Sequence, residues 1–172
     1  LERGVQLGEA DKTGLNMAFA LSNDGMWLLS GSSNSDVRGK LWKLDPTGRT
    51  SPKQVHELLG LPGQEAVTTF AFSPDAKMLF TGDDFGVGFL WNTETGEQMG
   101  DPITNVRGSR INDAVFTADG NFLFVAADNA AVTKIDLKTF ENAARLEQLG
   151  YVVKLTLSSD GQHLLTVSEV AN

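Results

Sequence analysis

Four segments of the chain share one order of apolar and polar positions. Each begins with an apolar stretch, continues with serine or threonine, any residue, aspartate and a turn residue, and ends with a second apolar stretch. The apolar stretches are rich in Phe, Leu, Val and Met, which is typical of buried strands. Three copies carry glycine directly after the aspartate, and glycine accepts the positive φ of a tight turn. The pattern therefore predicts four β-hairpins, at Phe19–Gly31, Phe70–Gly82, Ala114–Ala126 and Leu155–Val167.

The aspartates of these turns recur at similar distances along the chain. Successive copies are separated by 51, 44 and 41 residues, close to the roughly 40–45 residues of a repeat that contains four strands. We assign them a structural role, because a turn aspartate accepts hydrogen bonds from the backbone beside it. The four are Asp24, Asp75, Asp119 and Asp160.

A third strand follows the hairpin in three copies and contains a large apolar residue at a matched place. This anchor residue comes 18 residues after the aspartate in the first copy and 16 residues after it in the next two. It is Trp42, Trp91 and Ile135 in turn. A further turn then leads to a predicted fourth strand, at Lys53–Leu58, Glu97–Ile103 and Ala143–Gln148.

These repeats resemble those of the WD-repeat β-propeller family, and the segment Ala66–Ile103 follows the family pattern almost throughout. The second residue of the family's Trp-Asp pair is replaced by Lys43 or Asn92, and no copy has the Gly-His pair that usually precedes the first strand. The resemblance implies an all-β protein, a β-propeller of four-stranded antiparallel blades whose strands are labelled a to d.

The same resemblance implies a buried hydrogen-bonded group in each blade, formed by Trp, Ser or Thr, His and Asp. Trp42 with Ser30 and Asp36 is the fullest remnant of it in this chain. At the position of that aspartate the second copy has Phe85 and the third has Asn129. We therefore expect these blades to depend more on apolar packing than on polar networks.

The register assigns the chain three full blades and a partial blade at either end. A d strand of a preceding blade is predicted at about 1–14, and a partial blade with strands a and b at 151–172. The full blades are predicted at about 15–65, 66–109 and 110–150. Strand c is missing from the two partial blades taken together. Two explanations stay open: a larger propeller of which this is one part, and a ring completed by a second copy of the chain.

Composition narrows the set of partners. The net charge is −8 and the basic residues form no run, so nucleic acid is not expected as a direct partner. No apolar run approaches the roughly 18 residues needed to span a bilayer, and no membrane association is predicted. The chain has no cysteine, which leaves the compartment open; we favour the cytoplasm.

Motifs that carry chemistry are few. Asp84-Phe85-Gly86 spells the kinase magnesium motif but lies between strands b and c without the other kinase motifs, so we interpret it as a turn. The two histidines, His56 and His163, have no evident catalytic or metal-binding partners. We predict no catalytic residue, no metal and no cofactor. Near the position of Trp27 the other copies have a polar residue, Lys77, Asn121 or Gln162, which suggests that Trp27 is a partly exposed aromatic contact point.

The predicted function is a protein-interaction scaffold without catalysis, because a rigid array of blades presents its loops to partners. The d–a and b–c loops are expected on one face, where Arg107 and Arg110 suit an acidic partner segment. A propeller hydrolase or lyase with a metal in the central channel is the alternative. Another is a regulatory propeller attached to a catalytic domain. The predicted partner-binding residues are Arg38, Asp84, Phe85, Arg107, Arg110 and Asn129.

Overall fold

A computed structural model of the chain describes residues 19–31, 37–59, 67–104 and 109–169. Within these ranges the regular structure consists of strands and contains no helix. The fold class predicted from the repeats is confirmed: the described residues are all-β, and their strands form three four-stranded antiparallel sheets and one two-stranded sheet. The predicted d strand at about 1–14 lies outside the described residues.

Three sheets of four strands follow one another, and a sheet of two strands comes last. In every sheet each strand pairs with the next one along the chain. The first sheet contains β1 (Phe19–Leu21), β2 (Trp27–Ser30), β3 (Val37–Lys43) and β4 (Lys53–Leu59). The second contains β5 (Val67–Phe72), β6 (Met78–Asp83), β7 (Gly88–Asn92) and β8 (Gln98–Ile103). The third contains β9 (Ile111–Phe116), β10 (Phe122–Ala127), β11 (Ala131–Asp136) and β12 (Glu141–Glu147). The fourth contains β13 (Tyr151–Leu157) and β14 (Leu164–Glu169). We refer to the sheets as blades 1 to 4.

The register of the strands is the same in the three complete blades. The anchor residue of strand c lies opposite a leucine of strand b in each, in the pairs Leu28–Trp42, Leu79–Trp91 and Leu123–Ile135. The blades pack side by side through their first strands, so that β1 lies beside β5, β5 beside β9, and β9 beside β13. Apolar side chains fill the space between neighbouring blades.

One expectation about an aromatic residue is wrong. Trp27 is buried, with 7% of its surface exposed, in the apolar layer between blades 1 and 2. Its true counterparts are Met78 and Phe122, because all three begin strand b and pair with the last residue of strand c. The polar residues Lys77 and Asn121 come one position before these counterparts, and their side chains point the other way because side chains alternate along a strand.

The turn between strands a and b is built in the same way four times. In blade 3 the Thr117 hydroxyl donates to Asp119, whose Oδ1 also accepts the Asn121 N–H at 3.0 Å. The Phe122 N–H in turn donates to the Thr117 oxygen at 3.0 Å. The residue after the aspartate has positive φ in all four turns: Gly25, Ala76, Gly120 and Gly161. Equivalent bonds surround the other three aspartates, Asp24, Asp75 and Asp160.

These bonds predict a loss of stability in acid. The Thr117 hydroxyl, followed by the backbone and side-chain N–H groups of Asn121, lowers the pKa of Asp119 from 3.8 to about 2. Because the pKa is lower in the folded state, this contribution is present above pH 3.8 and is lost as the pH falls towards about 2. Urea denaturation at several pH values should show a smaller loss over this interval for Asp119→Asn than for the unmodified protein. Asp101→Asn, on the exposed strand β8, is the control, and equal losses for both variants would contradict the assignment.

Candidate interaction face

The b–c turns lie at one end of the blades, together with the d–a segments, because strand direction alternates within each sheet. We call this end the interaction face. In blade 2 the b–c turn contains residues 84–87, between β6 and β7. In blade 3 it contains residues 128–130, between β10 and β11. The opposite end of the blades carries the a–b turns described above.

The buried Asp83 fixes the backbone of the blade 2 turn. Its Oδ1 accepts the Phe85 N–H at 3.0 Å and the Val87 N–H at 2.8 Å, and Gly86 takes a φ of 80°. These bonds fix the backbone around Phe85, whose side chain remains 50% exposed. A rigid turn with an exposed aromatic ring is a favourable contact point, because little conformational entropy is lost when a partner binds to it.

In blades 2 and 3 a side chain of strand a donates a hydrogen bond to a backbone carbonyl of the next blade. In blade 3, Asn112 Nδ2 donates to Asp128 Oδ1 at 2.6 Å and to the Val152 carbonyl of blade 4 at 3.0 Å. In blade 2 the equivalent residue is Thr68, whose hydroxyl lies 2.6 Å from the Ile111 carbonyl of blade 3. The hydroxyl has a single hydrogen, whereas the amide has two. Thr68 therefore joins the blades but supplies nothing to Asp84, the counterpart of Asp128.

One carboxylate oxygen of Asp84 therefore accepts no hydrogen bond. Its Oδ1 is buried and no hydrogen bond reaches it from the described residues, and the same holds for Asn129 Oδ1 in the next b–c turn. A buried acceptor left unpaired costs roughly 1–3 kcal/mol, and more when the group is charged. Such groups in a native protein call for a specific explanation. Both were predicted as partner-binding residues, and both lie on the interaction face.

Of the three arginines predicted to bind a partner, Arg110 is the one whose side chain lies within the described part of the structure. Arg110 precedes β9 with an exposed side chain, and its carbonyl accepts the Asp128 N–H at 3.0 Å. It therefore lies beside the blade 3 turn that contains Asn129. Arg38 is in β3, but its side chain is outside the described part of the structure, as is the whole of Arg107. Their roles, and those of the other predicted contact residues, stay predictions.

The anchor tryptophans each donate one hydrogen bond across their own sheet. Trp42 Nε1 donates to Ser30 Oγ at 2.9 Å, and Trp91 Nε1 donates to Thr81 Oγ1 at 3.0 Å. Asp36, the third member expected in blade 1, lies outside the described residues. The role of Thr81 was missed, although its place in the repeated hairpin matches that of Ser30.

A buried carboxylate joins blades 3 and 4. Asp113, with 7% of its surface exposed, accepts the Leu155 N–H at 2.7 Å through Oδ2. The Lys154 ammonium lies 3.0 Å from the same oxygen but is mostly exposed. Asp113 thereby pairs a backbone donor of β13 that the β13–β14 ladder leaves free.

Replacing Asp113 by alanine should destabilise the contact between blades 3 and 4. Because the Leu155 N–H would lose its acceptor, we expect the free energy of unfolding to fall by about 1–3 kcal/mol. Hydrogen exchange at Leu155 should accelerate. Lys154→Ala removes only an exposed ion pair and should cost less than about 1 kcal/mol. Equal costs for the two variants would show that the ion pair, and not the backbone bond, joins the blades.

Within the described ranges, no three His, Cys, Asp or Glu side chains come together in a way that suits a metal ion. The same ranges contain no helix of the length and apolarity needed to cross a membrane.

The described sheets, with one repeated hairpin and one repeated anchor strand, define a run of β-propeller blades. The family model "WD domain, G-beta repeat" matches residues 53–87. The chain is 24% identical over 161 residues to telomerase protein component 1 of Rattus norvegicus, which covers 87% of this chain and 6% of that protein. It is 33% identical over 101 residues to apoptotic protease-activating factor 1 of Homo sapiens, covering 55% and 8%. It is 29% identical over 142 residues to WD repeat-containing protein SL1-17 of Schistosoma mansoni, covering 82% and 44%.

These matches, together with the repeated hairpin and anchor strand, support a likeness of the chain to the WD-repeat family. The chain spans less than half the length of each of these three relatives.

Proposed function

We propose that the chain is part of a protein-interaction scaffold that binds a polypeptide partner through the interaction face. The observation that carries this proposal is the blade 2 turn, where Phe85 is 50% exposed on a backbone that Asp83 fixes by two hydrogen bonds. Aromatic side chains are enriched at protein interfaces, and one held on a rigid turn loses little conformational entropy when a partner binds. The proposal assigns the chain no catalytic step.

The repeat family supports the general class, because WD repeats form scaffolds for protein interactions. Arg110 and Asn129 extend the proposed contact to blade 3, one blade away from Phe85. The guanidinium of Arg110 and the amide of Asn129 give the face donors as well as acceptors, which favours a polar, charged partner segment over an apolar one.

Site-specific photo-crosslinking tests the proposal. A benzophenone amino acid is placed at position 85 of the full-length protein, in the cells that make it. The matched control is position 26, because Met26 is also an exposed apolar residue but lies at the a–b turn of blade 1, at the opposite end of the blades. We expect a discrete crosslinked protein at position 85 that is absent at position 26. The same crosslinks at both positions, or none at position 85, would contradict the proposal.

A further inference from the structure

Three exposed side chains on the interaction face lie where blades 3 and 4 adjoin. They belong to Arg110, Leu149 and Tyr151. Leu149 lies in the segment between β12 and β13 and is 96% exposed, and Tyr151 begins β13 and is 47% exposed. We call these three residues the blade 3–4 patch. Because all three side chains meet solvent, a binding partner can reach each of them directly.

Backbone hydrogen bonds hold two members of the blade 3–4 patch against the same turn. The Arg110 carbonyl accepts the Asp128 N–H at 3.0 Å, at the start of the b–c turn of blade 3. At the end of that turn, the Ala130 carbonyl accepts the Gln148 N–H at 2.7 Å. Leu149 directly follows Gln148 in the chain. The turn between β10 and β11 therefore has Arg110 on one side and Leu149 on the other.

Tyr151 takes the position in blade 4 that Arg110 takes in blade 3. Each lies nine residues before the turn aspartate of its blade and directly before a buried residue, which is Val152 in blade 4 and Ile111 in blade 3. Asn112 Nδ2 donates to the Val152 carbonyl at 3.0 Å, so the two positions lie on neighbouring strands. Arg110 stays exposed with blade 4 packed beside it, which shows that this position of the repeat faces solvent in a complete blade.

The composition of the blade 3–4 patch indicates the chemistry of its partner. An exposed leucine and an exposed tyrosine ring gain from contact with an apolar side chain. The Arg110 guanidinium belongs to none of the ion pairs found among the described residues, and a guanidinium pairs with a carboxylate through two parallel hydrogen bonds. A purely apolar segment would cover this charge without pairing it, which is costly. A segment with both a carboxylate and an apolar side chain satisfies the whole patch.

The dimensions of the blade 3–4 patch suit a short segment. Arg110 precedes β9 and Leu149 follows β12, and these are the two outer strands of the blade 3 sheet. Neighbouring strands are about 4.8 Å apart, so three spacings separate the two residues by roughly 14 Å. An extended chain covers this distance in about four residues, since each residue adds roughly 3.3 Å.

We infer that the blade 3–4 patch binds a partner segment that carries a carboxylate and an apolar side chain within about four residues of each other. The carboxylate pairs with Arg110, and the apolar side chain packs on Leu149 and Tyr151. The inference rests on the proposed function, since it names the partner chemistry of the same face. It predicts binding that weakens as salt is added, because salt screens an exposed ion pair.

Selection from a random-peptide library displayed on phage tests the inference, with the full-length protein as the bait. The library is first depleted on the double variant Arg110→Glu, Leu149→Ser, so that the peptides recovered afterwards are those that need the blade 3–4 patch. We expect the recovered peptides to share an aspartate or glutamate and a nearby aliphatic or aromatic residue. Recovery of no shared sequence, or of one without a carboxylate, would overturn the inference.

Single variants with matched controls then measure the affinity of the most frequent peptide. Arg110→Glu should weaken binding about ten-fold or more, because attraction becomes repulsion. Its control is Lys138→Glu, the same change of charge at an exposed c–d turn at the opposite end of blade 3. Leu149→Ser should weaken binding about ten-fold through loss of apolar contact. Its control is Leu165→Ser, at a leucine of β14 that is 63% exposed. Equal effects of a variant and its control would overturn the inference.

The outcomes separate the two proposals. If position 85 crosslinks a protein but no recovered peptide depends on Arg110 and Leu149, the scaffold face stands and the blade 3–4 patch is wrong. If peptides bind in the way that depends on these two residues but position 85 captures no protein, the blade 3–4 patch stands and the proposed function is wrong.

Discussion

Replacing Trp91 by alanine is expected to lower the free energy of unfolding by about 3–5 kcal/mol, the range measured when a buried aromatic residue is truncated. Trp91 is only 4% exposed and lies in the apolar layer between blades 1 and 2, with its ring 5.8 Å from that of Phe89. Its Nε1 also donates to Thr81 Oγ1. The substitution removes the packing of two blades and leaves a buried hydroxyl without its donor.

Urea denaturation followed by circular dichroism measures this effect. Trp91→Phe is the matched variant, because it keeps an aromatic ring and removes the indole N–H. We expect it to cost about 1–2 kcal/mol, mainly from the unpaired Thr81 hydroxyl. A cost below about 1 kcal/mol for Trp91→Ala would show that this residue does not anchor the blade.

Gly96→Ala should be the second most damaging change, because two effects act at one position. Gly96 has a φ of 71° in the c–d turn of blade 2. A Cβ atom there would lie 2.5 Å from His56 Cγ and 2.9 Å from His56 Cβ, in strand d of blade 1. His56 Nε2 lies 2.8 Å from the Glu94 carbonyl of the same turn. Left-handed strain of about 1 kcal/mol and overpacking of about 1–3 kcal/mol together give about 2–4 kcal/mol.

The matched control comes from the same turn in blade 1. Gly48 has a φ of 66°, but an added Cβ would meet nothing within 4 Å. Gly48→Ala should therefore cost about 1 kcal/mol from backbone strain alone. The difference between the two variants, measured by thermal or urea unfolding, isolates the contact between blades 1 and 2. Equal costs would mean that His56 moves away from the added methyl group without a loss of stability.

Much of the local structure was predictable because it depends on residues close in the chain. The hairpin turns around Asp119 and its counterparts are closed by hydrogen bonds over two to five residues, and glycine supplies the positive φ in three of the four. The boundaries of strand d were less accurate. We predicted Ala143–Gln148 and the structure has Glu141–Glu147. Phe140 takes the left-handed position that glycine takes in the other blades, with a φ of 59°, so β12 begins directly after it.

The contacts between blades were not predictable in the same way. Trp27 follows the same local pattern whether it faces solvent or the next sheet, and only the position of blade 2 buries it. Thr68 and Asn112 are ordinary polar residues of strand a until the next blade places a carbonyl within their reach.

The sequence by itself determined the all-β class, the four-strand repeat and the residues that form each turn, because turn chemistry and strand alternation act over a few neighbouring residues. The tertiary structure decided which side chains lie between blades and which polar groups are left without partners. Asp84 shows the reason. Its oxygen is unpaired because the Thr68 hydroxyl has a single hydrogen and lies 2.6 Å from the Ile111 carbonyl of blade 3. Such a relation exists only once the sheets are packed together.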